Sequence, residues 1–165
     1  MTIKSDADNA AYYNSRPKKR TGAGVLIFNQ KDQLLIVKPN YLNHWLYPGG
    51  GIEETESPLH AALRECKEEI GINLDKVWPA YINYQKPKPS GEEDVVQFTF
   101  TTNPVADDFL DRLTLQEDEI EDAVFVDINK LYNYLSQART KAIQSYFDAR
   151  GTQQTIYLEN GDLIT

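Results

Sequence analysis

The hydrophobic pattern changes period several times along the chain, and each change marks an element. Two short apolar runs, residues 24–28 and 33–38, flank the polar Asn-Gln-Lys-Asp and predict two strands joined by a turn, with Pro39 ending the second. Leu59, Ala62, Leu63, Cys66 and Ile70 then recur at helical spacing, predicting a helix over about 58–70 with one buried stripe. Ser57 supplies its N-cap, Pro58 its first helical position and Gly71 a left-handed stop. β-Branched and aromatic residues predict strands at 77–85 and 95–102, around an exposed Pro-rich loop. Residues 103–119 are acidic and irregular. A short strand at 123–126 follows, then helices at 128–135 and 138–149, the first capped by Asp127 and the second closed by Gly151. Asn160-Gly161 between apolar runs predicts a C-terminal hairpin. The reading is one mixed α/β domain: a polar arm at 1–20, the domain proper at 21–150, and a hairpin at 151–165 packed on it.

Composition narrows the partners. The 165 residues, 41% of them hydrophobic, suffice for one core without staples. A single Cys excludes a disulfide framework within the chain and any Cys-based zinc cluster, which points to a reducing compartment. The net charge of −8 and pI near 4.8 argue against a nucleic-acid polymer held on a basic face, and favour metal cations. Purely apolar runs such as 25–28 and 34–37 fall far short of the roughly 20 residues that span a bilayer. The N-terminal segment has no apolar h-region, so the expectation is a cytoplasmic protein with no membrane partner. The basic stretch 16–20 reads as a solvated approach to the first strand, with an anion-binding arm as the alternative.

The chemistry concentrates on the helix at 58–70. Glu65, Glu68 and Glu69 fall within an arc of roughly 100° beside its apolar stripe, and like charges at this spacing repel. Glu53, Glu54 and Glu56 lie just upstream. A divalent cation turns that repulsion into binding, and an all-oxygen donor set selects Mg²⁺ or Mn²⁺ over zinc. Gly49-Gly50-Gly51 lets the backbone approach a ligand, and Mg²⁺ fills its remaining positions with water and substrate phosphates. Taken alone, the three glutamates also fit an ordinary acidic helix face.

The spacing goes further. From Gly50 the chain reads G-x5-E-x7-R-E-U-x-E-E-x-G-U, with U apolar, matched by Gly50, Glu56, Arg64, Glu65, Cys66, Glu68, Glu69, Gly71 and Ile72. This is the Nudix box, and the chain resembles the small MutT-like Nudix hydrolases. The resemblance implies an α/β/α sandwich with a mixed sheet between helices, and metal-dependent hydrolysis of a nucleoside diphosphate linked to another group. It makes Glu68 and Glu69 metal ligands, Glu65 a ligand or the base that activates water, and the Gly49 carbonyl a further ligand. It also pairs Arg64 with a box glutamate, most simply Glu56. Gly50, Glu56 and Gly71 then support the box structurally. An additional acid comes in some members from the loop before the last sheet strand; counting back from Phe125 selects Glu119, slightly above Glu117 and Glu121. The residue before Glu56, often Gly in this family, is Thr55 here, which bears on loop shape.

Other features carry less. Cys66 sits in the apolar stripe and reads as a core residue. His44 and His60 have no companion at metal spacing. Trp45 and Tyr84 are candidates for contacting substrate, although Tyr81, Tyr84 and Phe98 equally suit a sheet face. In some members of the family the chain resembles, those that hydrolyse ADP-ribose, a proline lies about fifteen residues beyond the box; Pro87 is at that distance, so the resemblance slightly favours ADP-ribose. The reading is a pyrophosphohydrolase for a small nucleotide: a (d)NTP, an oxidised nucleotide or a nucleotide sugar such as ADP-ribose. The alternative is a Nudix-fold module that senses a nucleotide without cleaving it. The hairpin or the N-terminal arm could serve a homodimer or simply finish the sheet.

Overall fold

The computed structural model describes residues 6–91, 93–152 and 154–164. Strand β1 (Arg20–Leu26) and strand β2 (Gln33–Pro39) are both apolar runs, yet they do not form a shared hairpin ladder. They meet at the single bridge Phe28–Leu34, with the Leu35 N–H donating to Ile27 O, and then diverge into different sheets. The reason is burial. In β2, Leu34 and Ile36 enter one hydrophobic cluster while Leu35 and Val37 enter another, so both strand faces are covered. Its ladder partner is β6 (Ile120–Asp127), antiparallel and longer than the 123–126 strand the sequence predicts.

The main sheet has six strands in the order β3-β1-β5-β4-β7-β8, with β3 (Gly49–Gly51), β4 (Val77–Gln85), β5 (Val95–Thr102), β7 (Ile156–Glu159) and β8 (Asp162–Leu163). The pairs β1–β5 and β4–β7 are parallel and the others antiparallel, so the sheet is mixed. Helix α2 (Pro58–Ile70) packs beside β1 and β3, and α3 (Gln137–Ala149) lies against the β4, β7 and β8 end. Each has its own hydrophobic cluster, one around Val25, Ala62, Cys66 and Ile70, the other around Leu26, Tyr81, Ile143 and Leu158. The result is an α/β/α sandwich.

Local chemistry explains most boundaries. Ser57 Oγ accepts from the His60 N–H at 3.2 Å and opens α2, while Gly71, in the left-handed region, donates to Lys67 O and closes it. The buried stripe of α2 is Ala61, Ala62, Cys66 and Ile70, with Glu69 beside it; Leu59 is exposed and Leu63 half-buried. The small residues face the sheet because β1 and β3 approach closely there. Residues 128–135, expected to be a helix, form a six-residue 3-10 turn at Ile128–Asn133, and another spans Asp107–Arg112 within the acidic segment. Residues Asp6–Asn14 of the arm form an exposed helix, α1, which contributes nothing to either hydrophobic cluster. Among the described residues, no helix is long and apolar enough to cross a membrane.

Candidate active site

The site is built where β3 meets the start of α2. β3 runs antiparallel to β1, with Gly49 opposite Gly24 and Gly50 opposite Ala23. At Gly49, with φ of 150°, a Cβ would lie 2.4 Å from Ala23 O, so only glycine permits this approach. The turn that follows is tied by Glu56: its N–H donates to Glu53 O, and its carboxylate accepts from the Glu53 N–H. Thr55 adopts a left-handed φ of 68° in this turn, a conformation that glycine reaches without steric cost and a β-branched residue does not.

Arg64 organises the acids. Its five N–H donors meet five acceptors: Glu56 twice, at 3.0 and 3.1 Å, Glu65 at 2.8 Å, Glu68 at 2.9 Å and the Gly51 carbonyl at 3.1 Å. One planar cation thereby joins the loop, the β3 backbone and two further box glutamates. The guanidinium holds the Glu56 carboxyl below the usual carboxylate range.

Glu69 is the most buried acid, 4% exposed, and its Oε2 accepts from the Gly49 N–H at 2.9 Å. Burial pushes its carboxyl up to about 8, opposed by that hydrogen bond and reinforced by the charges of Glu65, Glu119 and Glu68. Burial also raises Glu65, against the pull of Arg64. The segment 113–119 is tied down on both sides: the Gln116 N–H donates to Glu69 O, and the Asn40 N–H to Glu119 O. It is Glu119 whose charge bears on Glu65, Glu69 and Tyr41, whereas Glu121 lies 3.9 Å from Lys38. The structure therefore gathers Gly49, Gly50, Glu56, Arg64, Glu65, Glu68, Glu69 and Glu119 into one neighbourhood, with Gly71 at the far end of the helix. In this arrangement Glu65 and Glu68 face the guanidinium, and among the described residues no three acids, His or Cys are drawn around one point as metal ligands.

A cavity of about 310 Å³ opens beside the glycines. Tyr81, Asn83 and Gln85 line it from β4 and Gln97 from β5, while Tyr41, Tyr47 and Arg139 lie on the facing elements. Tyr84, between two lining residues, is turned to the other sheet face, where its hydroxyl donates to Asp94 beside Lys19. Trp45 packs edge-on against Tyr134 at 5.7 Å, and its neighbours Leu46 and Tyr47 line the cavity in its place. His44 is exposed; slight burial and the charges of Arg139, Lys88 and Lys38 depress its imidazole. His60 is exposed on α2. Cys66 is fully buried, and desolvation pushes its thiol far up. Lys86 and Lys88 reach the cavity but Pro87 between them does not. The sequence reading missed Asn83, Gln97 and Arg139; an Asn in mid-strand, where β-propensity disfavours it, was the available signal.

A model of the NUDIX domain family matches residues 18–147. Among curated proteins, an RNA pyrophosphohydrolase of a Nitratiruptor species is 32% identical over 120 residues, covering 65% of this chain and 76% of that protein. One of a Marinomonas species is 34% identical over 74 residues, 42% of this chain and 46% of that protein. The chain thus spans less than half the length of several curated relatives it matches. Solved structures share the fold, two of them as follows. The E. coli ORF135 protein is 19% identical with a TM-score of 0.63, covering 82% of this chain and 94% of that one. The NUDIX domain of Shewanella oneidensis NrtR, complexed with ADP ribose, is 18% identical with a TM-score of 0.63, covering 92% and 100%. Set beside the box geometry, the family match is decisive: the chain belongs to the Nudix family.

Proposed function

We propose that this protein is a metal-dependent pyrophosphohydrolase that cleaves the diphosphate linkage of a nucleoside diphosphate derivative. The observation that carries the reading is the buried Glu69 carboxylate, set among Glu65, Glu68 and Glu119 and hydrogen-bonded to Gly49, which lines the cavity. Such a group is costly when ionised and uncompensated, and a hard divalent cation is what an all-oxygen set would bind. The residues fit Mg²⁺ or Mn²⁺ in donor chemistry, with Glu68, Glu69, Glu65 and the Gly49 carbonyl as its holders. The chemistry such a cation would supply there is neutralisation of the diphosphate oxygens and a lowered pKa for a bound water.

The chain's own residues do the rest. Glu65, half-buried beside Gly50, accepts the proton of the attacking water. Arg64 positions Glu65 and Glu68 through Nη1 while anchoring itself on Glu56. Glu119 adds a carboxylate from outside the box. The curated relatives are named for RNA, so a 5′-triphosphorylated oligonucleotide belongs among the substrates to test, beside (d)NTPs, oxidised nucleotides and nucleotide sugars such as ADP-ribose.

Product release from that panel, with Mg²⁺ and with Mn²⁺, tests the reading against a Glu69→Gln control. Turnover of one substrate class that the control abolishes is the expected result. Nucleotide binding without any product, in both metals, would overturn it in favour of a non-catalytic nucleotide-sensing module.

A further inference from the structure

Among the described residues, Asn83 is the one cavity-lining amide that is almost wholly buried, at 1% exposure. Its Oδ1 accepts from the Gly161 N–H at 3.1 Å. That bond decides the orientation of the amide, because an N–H can only be met by the oxygen. The NH₂ end is then the one left for the cavity that Asn83 lines. The hairpin turn is itself clamped to β4: the Asn160 N–H donates to Tyr84 O at 2.7 Å, and Asn160 Oδ1 accepts from the Lys86 N–H at 3.0 Å. Gly161 O accepts in addition from Ser145 Oγ on α3. The donor is therefore fixed before any ligand arrives.

What surrounds this donor separates two kinds of ligand. The cations Arg20 and Lys86 are exposed where they line the cavity, and the exposed Glu93 carboxylate lines it too, so the charged groups lie at its solvent side. The inner wall holds the amides of Asn83 and Gln97, the half-buried Arg139 guanidinium and the rings of Tyr47 and Tyr81, whose hydroxyls bond to each other and, through Tyr47, to Thr99. Its amides and aromatic rings suit a flat, uncharged group with hydrogen-bonding edges, which in a nucleotide is the base.

We infer that Asn83 is a specificity-determining residue that reads a carbonyl oxygen on the nucleobase, and that the C-terminal hairpin holds it in the reading orientation. This rests on the substrate being a nucleotide, as proposed above. A fixed donor favours a base with a keto oxygen, at position 6 of a purine or position 4 of a pyrimidine, over its amino counterpart. The amino base would oppose donor to donor and leave a buried NH₂ unpaired.

Equilibrium binding of nucleoside monophosphates tests this without turnover, since they contain no anhydride to cleave. Calorimetric titration of the full chain in Mg²⁺ should show inosine over adenosine monophosphate, or uridine over cytidine monophosphate, by at least about tenfold. Asn83→Asp keeps the acceptor for Gly161 but replaces the donor with an acceptor, and should invert the ratio. Should Asp at this buried position unfold the protein, Asn83→Ser, whose hydroxyl both donates and accepts, should bring the ratio near unity. Gly161→Ala, whose Cβ would stand 2.6 Å from Ala138 O, lies outside the cavity and should erode the same ratio by displacing the turn. Equal affinities in the wild-type protein, no binding of any of the four, or a ratio that no Asn83 variant moves would overturn the inference. Loss of hydrolysis on every substrate with the ratio intact would instead count against the enzymatic reading alone.

Discussion

Three consecutive glycines at 49–51 face three different surroundings, so alanine at each should fail in a different way. At Gly50 a Cβ would lie 2.5 to 2.8 Å from the three atoms of the Glu65 carboxylate, where ordinary contact begins at 3.4 Å. The obstacle is the free end of a side chain, so Glu65 swings aside by about 1 Å rather than the backbone yielding. The fold loses little, at most about 1 kcal/mol, from the weakened bond to Arg64. Activity should lose much more: a displacement of that size at a reacting group costs about 10²-fold, or roughly 2.7 kcal/mol of barrier. At Gly51 nothing lies within 4 Å of the added carbon and the backbone angle is ordinary, so Gly51→Ala should be near neutral. At Gly49 the obstacles are Ala23 O and Gly24 Cα, both backbone, and φ is unfavourable, so Gly49→Ala should cost several kcal/mol of stability. The assay is kcat/KM on the best substrate of the panel, paired with the Tm of each variant. Wild-type kcat/KM in Gly50→Ala, or an equal loss in Gly51→Ala, would refute the argument that Glu65 is held against Gly50 for the reaction.

Three further outcomes are expected. Arg64→Lys replaces a five-donor fork with a single point charge, so kcat should fall about 10- to 100-fold with KM little changed; an unchanged kcat would show that Arg64 does not position Glu65 and Glu68. Thr55→Gly relieves a left-handed β-branched residue, and its Tm should rise by an amount corresponding to at most about 1 kcal/mol, with kcat/KM retained; a lower Tm would place the strain elsewhere. Asp32, also left-handed at φ 61°, pairs twice with the Arg150 guanidinium, which holds its carboxyl below the unfolded value of 3.8. A depressed pKa contributes stability above pH 3.8 and loses it as pH falls through the folded value. Asp32→Asn keeps the backbone conformation but not the charge. Denaturant melts should show it weaker by less than about 1 kcal/mol near neutrality, since both partners are partly exposed, with the gap closing in acid. A gap that widens in acid would contradict the pairing.

The sequence by itself determined whatever depends on neighbours along the chain. Ser57, Pro58 and Gly71 satisfy or end the hydrogen bonds of one helix, so α2 was legible to the residue at both ends. The strands at 77–85 and 95–102 and the Asn160-Gly161 turn were legible for the same reason. So was the box, because its acids sit on one helix and the loop entering it. What tertiary structure decided depends on partners distant in the chain. β2 left its apparent hairpin because both of its faces are apolar and only a position between two clusters covers them. Glu119, rather than Glu117 or Glu121, reached the acids because the Asn40 and Gln116 backbone bonds set the path of its loop. The cavity wall was the least legible part. Asn83 and Gln97 stand side by side through β4–β5 pairing, and Arg139 faces them from a helix more than forty residues further on. Strand alternation turned Tyr84 away while admitting Asn83, and a one-residue change of register would have reversed the two. Side-chain identity was in the sequence from the start; which face it occupies was settled only when the strands paired.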